Sequence, residues 1–245
     1  MARPGFSSQL STLLDRTLMI YLGSPSTLLI MLLQPPLVGA ILGLAWKDQE
    51  PTNATFLCMA IAAIYIGAMN SATAIVRERA ILERERMFRL SIWAYLLSKA
   101  AVLAGVCVAQ MVLLLVVQSN LMHLPAGVGN HLLLAVALTL AAACATGLGL
   151  SISAFARSTY VAVLLVPVLI IPQIVFTEVV LKGGIDRQIP EVVEKVTITK
   201  WGYEALYMVG HDGPWGDFVG SAAMMLLLLV GFLAVAAFKL KLDEV

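Results

Sequence analysis

The residues best suited to a chemical role form one dense charged segment, residues 77–89. Its charged side chains are Arg77, Glu78, Arg79, Glu83, Arg84, Glu85, Arg86 and Arg89. Five of the sixteen basic residues of the chain lie here, between two long apolar runs. Side chains of both signs form ion pairs within a helix and charge-assisted hydrogen bonds with a partner. We therefore expect the segment to lie outside the hydrocarbon of a membrane and to offer a charged surface to a soluble partner.

The alternative is that these charges only support a solvated helix. Glu85 and Arg89 are spaced i,i+4, and Glu83 and Arg86 are spaced i,i+3, so each pair can stabilise a helix by about 0.2–0.5 kcal/mol. A solvated face does not explain the apolar residues between the charges, which favour docking against both the membrane and a partner. These apolar residues are Ile81, Leu82, Met87 and Phe88.

Motifs for catalysis are absent from the sequence or incomplete. No Gly-x-x-x-x-Gly-Lys-Ser/Thr loop occurs, so the chain does not bind and hydrolyse ATP by that route. His123, His131 and His211 form no recognised ligand motif; a pair across one loop can bind a metal, but isolated polar loop residues are the favoured interpretation. Ser151, at the end of the stretch Gly-Leu-Gly-Leu-Ser, is similar to the buried nucleophile of an intramembrane protease. Such a nucleophile needs a histidine base in another span, and none of the predicted spans contains one. We predict neither a catalytic residue nor a metal site.

Composition places the rest of the chain in a lipid bilayer. Hydrophobic residues make up 60% of the 245 residues and charged residues only 13%, which leaves too little polar surface for a soluble domain. Runs long enough to cross about 30 Å of hydrocarbon as helices predict six spans. The predicted spans are 28–46, 54–76, 92–117, 132–155, 159–179 and 218–238. The fold class is therefore all-α and polytopic, with residues 1–245 forming a single transmembrane domain.

The distribution of basic residues predicts the orientation. Besides the charged segment, the basic residues on its side of six alternating spans are Arg3, Arg16, Arg157, Lys239 and Lys241. Because basic connectors stay in the cytoplasm, both termini and the charged segment should be cytoplasmic. Residues 1–24 show apolar positions at helical spacing opposite polar ones, which is typical of an amphipathic helix lying in the membrane interface.

Small residues recur every four positions within three spans and indicate close helix packing. They are Gly39 and Gly43 in the first span, Ala63, Gly67 and Ser71 in the second, and Ala141, Ala145, Gly149 and Ser153 in the fourth. Packing inside one chain is favoured over a seam between two copies. Prolines at 35, 36, 167 and 172 remove helix hydrogen bonds and should kink the first and fifth spans.

No Asp, Glu, Arg or His lies in the middle of the predicted spans. Lys99 is close enough to the end of its span to extend toward water. Proton- or ion-coupled transport normally needs an ionisable group at depth, so its absence argues against that mechanism. If the protein moves a solute, the energy should come from another protein or domain.

Two stretches carry a resemblance to a known family. The first is Val76-Arg-Glu-Arg-Ala-Ile-Leu-Glu-Arg-Glu-Arg86, followed by Ala94-Tyr-Leu-Leu-Ser-Lys99. The second is Ile189-Pro190, followed by Thr199-Lys-Trp-Gly-Tyr-Glu-Ala-Leu206. With the amphipathic start around Gln9, Leu10 and Arg16, this order of elements resembles the transmembrane domain of an ABC-2 type transporter of the ABCG (White) class. The resemblance covers essentially the whole chain.

The resemblance implies a permease half that forms a dimer with a second copy and is driven by a nucleotide-binding domain. That domain would bind ATP and magnesium, whereas this chain would bind no cofactor. This sequence contains no nucleotide-binding domain, which implies that the domain is a separate subunit or another part of a longer chain. The coupling helix implied between spans two and three would contact the ATPase through Arg77, Glu78, Arg79, Glu83, Arg84, Glu85 and Arg86. The segment 180–217 would contain an external re-entrant gate.

The resemblance also implies a substrate path lined by the second and fifth spans. The residues nominated for this path are Tyr65, Met69, Asn70, Gln173 and Phe176. A mostly apolar lining suits export of a lipid-like or amphipathic substrate, with membrane lipids as further partners and no nucleic acid. The paired external cysteines of some relatives are missing, which favours the inner membrane of a bacterium. The alternative function is a non-transporting scaffold or sensor that recruits a cytoplasmic partner through Arg77–Arg89.

Overall fold

The computed structural model describes residues 5–87, 90–177, 179, 193–211 and 213–243, and their regular structure is entirely helical. The helices are α1 (Phe6–Leu22), α2 (Pro25–Ala45), α3 (Asn53–Ser71), α4 (Arg79–Met87), α5 (Ile92–Leu121), α6 (Val128–Phe155), α7 (Thr159–Val175), α8 (Ile198–Gly210) and α9 (Trp215–Leu242). A short 3₁₀ helix, Val76–Glu78, precedes α4. Several predicted features fall outside the described residues: Phe88, Arg89 and the Ile189-Pro190 motif.

In the described part of the chain, five helices are long and apolar enough to cross a membrane: α2, α3, α5, α6 and α9. This confirms the all-α, polytopic class. The predicted fifth span, 159–179, corresponds to α7, which has only 17 residues. At 1.5 Å per residue α7 is about 25 Å long, less than the hydrocarbon thickness of about 30 Å. Composition does not reveal this shorter helix, because the apolar run continues beyond the point where α7 ends at Val175.

The second predicted span, 54–76, also ends earlier than expected. Helix α3 stops at Ser71, and the chain turns before the 3₁₀ helix. Ser153 of α6 explains the change of direction, since its hydroxyl accepts hydrogen bonds from the backbone N–H groups of Ile75 (2.9 Å) and Val76 (3.0 Å). These two groups therefore bond to a neighbouring helix at the point where the chain leaves α3.

The centre of the bundle is a close contact between α3 and α6. A Cβ atom added at Gly67 would lie 2.1 Å from the carbonyl oxygen of Ala142, and one added at Gly149 would lie 2.1 Å from the Ser71 hydroxyl oxygen. The Thr146 hydroxyl donates to the Ala142 carbonyl oxygen (3.0 Å). The small residues of these two spans thus pack within one chain, which is the interpretation the sequence favoured.

The small residues of the first predicted span pack in the same way. A Cβ atom added at Gly39 of α2 would lie 2.9 Å from the carbonyl oxygen of Leu114 in α5. One added at Gly43 would lie 2.7 Å from the Leu121 Cβ atom. Helices α2 and α5 therefore form a second tightly packed pair.

Helix α8 packs into the end of the bundle where α3 begins. Ile198, Ala205 and Leu206 are buried among the core residues of α3 and α6. Gly202 lies against Ala141: a Cβ atom added at Gly202 would lie 3.3 Å from the Ala141 Cβ atom. The segment before the last span therefore contributes a helix to the core.

The opposite end of the bundle gathers most of the basic connectors. A hydrophobic cluster joins Leu13 of α1, Leu82 of α4, Tyr95 of α5 and Leu240 of α9. The Lys239 ammonium lies 5.9 Å from the centre of the Phe155 ring at the end of α6. Helix α1, the charged segment and the last turns of α6 and α9 thus lie together.

The contact between α3 and α6 makes a testable prediction. Changing Gly67 to Ala should destabilise the protein by about 1–3 kcal/mol, because the new methyl group meets backbone atoms that cannot move aside without shifting a helix. Thermal unfolding in detergent measures this effect. Gly105→Ala and Gly231→Ala are matched controls, since a Cβ atom added at either position meets nothing within 4 Å. Equal melting temperatures for Gly67→Ala and the controls would contradict the packing.

Candidate functional site

The charged segment is attached to the end of α6 by Arg79. Its guanidinium donates hydrogen bonds to the carbonyl oxygens of Ala154 (2.7 Å) and Ala156 (3.1 Å). The last carbonyls of a helix lack partners within the helix and carry partial negative charge, so a cation is favourable there. Arg79, predicted to contact an ATPase, therefore holds the segment against this chain in the present structure.

One face of the segment points into the protein. Glu78, Leu82 and Glu85 follow one another at i, i+4 and i+7, and Leu82 is 2% exposed. The Glu78 carboxylate lies 2.8 Å from the Lys99 ammonium of α5 and 3.9 Å from the Arg16 guanidinium of α1. Glu85 forms an ion pair with Arg16. Two carboxylates of the segment are thus joined to two cations on two other helices, and we call these four residues the basal ion network.

Lys99 is the most buried member of the basal ion network. Its side chain is only 4% exposed, so it does not extend to water as the sequence suggested. The ammonium also lies 5.1 Å from the centre of the Tyr95 ring, where a cation–π contact is favourable. An unpaired charge at this depth would be costly, and the Glu78 carboxylate offsets that cost.

The other face of the segment points away from the protein. Ala80, Glu83, Arg84 and Met87 are exposed and fall at i, i+3, i+4 and i+7, so they form one stripe on α4. Met87 is 81% exposed, and the adjacent Ile81 is 50% exposed. We call Ala80, Ile81, Glu83, Arg84 and Met87 the outer face. It combines charged and apolar side chains on a short helix whose opposite side is fixed.

The residues predicted to contact an ATPase therefore divide into groups. Glu78, Arg79 and Glu85 make contacts within this chain, and Arg86 is half-buried. Arg77, Glu83 and Arg84 are exposed. Sequence reasoning missed Arg16 and Lys99 as members of the site. The signal that could have found Lys99 is its place as a lone cation in an otherwise apolar helix.

The residues predicted to line a substrate path do not lie together. Tyr65 is 39% exposed on α3, whereas Met69 and Asn70 line a cavity beside Glu78 and Lys99. Gln173 of α7 accepts a hydrogen bond from the backbone N–H of Ile198 (3.1 Å), which joins α7 to the start of α8. Phe176 is half-buried just after α7. The structure thus places Met69 and Asn70 near the basal ion network and Gln173 at the start of α8.

Asn70 belongs to a chain of two hydrogen bonds inside the bundle. Its side-chain amide donates to the Gln110 side-chain oxygen (2.7 Å), and Gln110 donates to the Met31 carbonyl oxygen (2.7 Å). In a regular helix the Met31 carbonyl would bond to the N–H of residue 35, but Pro35 has none. Gln110, which is 0% exposed, therefore satisfies the backbone group that the proline leaves free in α2.

The fold and the charged segment define the class: a helical membrane domain with a two-faced charged helix at one end. Among the described residues, no group of three or more metal-binding side chains lies close together. The family model of the ABC-2 type transporter matches residues 8–209, which is most of the chain and includes the charged segment and nearly all of α1 and α8. The chain belongs to the ABC-2 type transporter family, as the resemblance predicted. Curated proteins gave no match.

The basal ion network makes a second prediction. Glu78→Gln should destabilise the protein by about 2–4 kcal/mol, because it leaves the Lys99 charge buried without its partner. Thermal unfolding in detergent measures the loss. The double variant Glu78→Gln/Lys99→Met should recover most of the stability, since both the charge and its partner are removed. Glu83→Gln, on the outer face, is the control; a Glu78→Gln variant as stable as this control would contradict the network.

Proposed function

We propose that this ABC-2 permease domain is half of an ATP-driven exporter and that the outer face docks on a nucleotide-binding domain. The observation that carries the proposal is the two-faced charged segment. Its inner side is joined by ion pairs and hydrogen bonds to α1, α5 and α6, while its outer side is exposed. A partner that pushes on α4 would therefore move three helices with it.

The proposed partner supplies the energy. No phosphate-binding loop occurs in this sequence, so ATP and magnesium would bind to the nucleotide-binding domain. That domain would be a separate subunit or another part of a longer chain. The mixed composition of the outer face suits such an interface, where apolar side chains supply burial and charged ones fix orientation.

We further propose that two copies of the permease assemble around a central path. The exposed residues of α2, α7 and α9 are mostly apolar, and these surfaces are available for lipid contact and for a second copy. Among the described residues of the spans, Lys99 is the only buried charged side chain, and it lies near the charged end of the bundle. An apolar, uncharged interior favours a lipid-like or amphipathic cargo over an ion.

The proposed membrane is the cytoplasmic membrane of a bacterium, with both termini and the charged segment in the cytoplasm. The basic residues of α1, the charged segment and the end of α9 share one end of the bundle, which is the arrangement that the positive-inside bias favours. The lipid-like cargo would then move outward, from the end that holds the ATPase to the end that holds α8.

The coupling proposal predicts a separation of stability from activity. Replacing Arg84 by Ala together with Met87 by Ser should weaken binding of the nucleotide-binding subunit about tenfold, the effect of losing about 1.4 kcal/mol of interface contacts. Permease-stimulated ATP hydrolysis should fall in parallel. The melting temperature should remain unchanged, since exposed residues contribute little to folding. Binding and ATPase rates measured in nanodiscs check these outcomes.

A matched double variant at the other end of the bundle provides the control. Lys47→Ala with Val128→Ser also removes one exposed basic and one exposed apolar side chain, and it should leave partner binding unchanged. If the Arg84→Ala/Met87→Ser variant keeps full affinity and full ATPase stimulation, α4 is not the docking element. Binding without any ATPase stimulation in the unmodified protein would instead favour the scaffold function.

Orientation is tested separately. In a variant without Cys58, Cys107 and Cys144, a single cysteine introduced by Lys47→Cys should react with a membrane-impermeant maleimide in intact cells. A cysteine introduced by Glu83→Cys should react only after the membrane is opened, because the charged segment would face the cytoplasm. Labelling of both positions from the same side would contradict the proposed topology.

A further inference from the structure

A cavity of about 300 Å³ lies between α1, α2, the end of α3, the start of the charged segment and α5. Its lining residues include Lys99 of α5 and Asn70 of α3. Asn70 bonds to Gln110, which lies about 16 Å along α5 from Lys99 at 1.5 Å per residue. A water molecule occupies about 30 Å³ of liquid. The cavity is therefore large enough for a headgroup of about ten heavy atoms.

The charges around this cavity favour an anion. Its charged lining residues are Arg77, Glu78 and Lys99. Glu78 and Lys99 neutralise each other at 2.8 Å. Arg77 is exposed, and its side chain forms no hydrogen bond or ion pair with any residue that the structure describes. One guanidinium thus remains uncompensated at the cavity, and guanidinium groups bind phosphate oxygens through paired hydrogen bonds.

Hydroxyl groups at the end of α1 and around the start of α2 add hydrogen-bond donors to the same cavity. Burial and the nearby Glu78 carboxylate raise the pKa of Tyr21 to about 12, so its phenol keeps its proton in the physiological range. Ser24 and Thr27 share one hydrogen bond (2.7 Å) in which either oxygen can donate. Their hydroxyl hydrogens can therefore turn toward a bound anion.

The apolar wall of the cavity indicates where the anion comes from. Ile20, Met31 and Met69 line it together with the polar groups. Ile20 is 48% exposed on α1, the amphipathic helix next to the first span. A soluble phosphate gains nothing from apolar contacts, whereas a phospholipid at the membrane interface offers both a phosphate and acyl chains.

We propose that this cavity binds the phosphate group of an anionic phospholipid, with Arg77 as its principal ligand and with the start of the acyl chains against Ile20 and Met31. The bound lipid joins α1 to the charged segment and α2. The proposal does not depend on an ATPase partner or on the nature of the cargo, because binding is a property of the purified permease alone.

The test is lipid binding to the purified chain in mild detergent. Native mass spectrometry with added dioleoyl phosphatidylglycerol should show a complex whose apparent Kd becomes about tenfold weaker, or more, in Arg77→Gln, as expected when a charged hydrogen bond is lost. Arg77→Lys should retain part of the affinity. Arg84→Gln is the matched control, since it removes an exposed arginine of the same segment outside the cavity, and its Kd should stay unchanged.

Two added compounds distinguish the source of the phosphate. Dioleoylglycerol, which has the acyl chains without the phosphate, should bind much more weakly than the phospholipid. Glycerol phosphate alone should not displace the phospholipid. Tight binding of dioleoylglycerol would show that the chains alone suffice, and efficient displacement by glycerol phosphate would show a soluble ligand; either result overturns the proposal.

A second variant keeps the test decisive if Arg77→Gln fails to fold. Thr27→Met fills part of the cavity and leaves the guanidinium in place, so it should weaken phosphatidylglycerol binding while Arg84→Gln does not. Unchanged phospholipid affinity in both Arg77→Gln and Thr27→Met would overturn the proposal. An equal loss in Arg84→Gln would also overturn it, since binding would then follow total charge and not the cavity.

Discussion

The buried Lys99 charge is the constraint on which the base of this membrane domain depends. An ammonium with a side chain 4% exposed needs a counter-charge, and the Glu78 carboxylate at 2.8 Å supplies it. Glu78 lies at the start of the charged segment, so satisfying Lys99 also fixes where that segment leaves α3. Arg16 extends the same network to α1 through Glu78 and Glu85. Three elements far apart in the sequence are thereby held in one arrangement.

Elsewhere in the bundle, side chains satisfy backbone N–H and C=O groups that would otherwise be unpaired. Ser153 and Arg79 satisfy donors and acceptors where α3 and α6 end. Gln110 satisfies the carbonyl that Pro35 leaves free. Each of these side chains joins two helices while it removes an unpaired polar group from an apolar environment. Hydrogen bonding and helix packing therefore reinforce one another around the charged segment.

Much of this architecture follows from the sequence. The apolar runs predict the helices, and the small residues at four-residue spacing predict close helix packing within one chain, which Gly67 and Gly149 confirm; that α3 packs against α6 comes from the structure. The charge pattern predicts that the charged segment is a helix outside the spans, and Arg79–Met87 is a helix. These features depend on composition and local periodicity, which a single sequence displays directly.

The remaining features depend on contacts that periodicity does not encode. The turn after Ser71 changes the helical register, so the sequence alone did not reveal that Glu78 and Glu85 face inward while Glu83 faces outward. The pairing of Lys99 with Glu78 is likewise a contact between helices. The substrate-path residues stay predictions: Met69 and Asn70 line the lipid cavity proposed here, and Gln173 joins α7 to α8.

The central claim is that the charged segment moves with α1 because the two are ion-paired, and cross-linking tests it most directly. In a cysteine-free background, Arg16→Cys with Glu85→Cys removes the pair and places two thiols on facing helices. ATP hydrolysis stimulated by the permease should fall in this variant and return when a short bifunctional maleimide joins the thiols. Full stimulation without the cross-link, or loss of stimulation on cross-linking, would contradict the account.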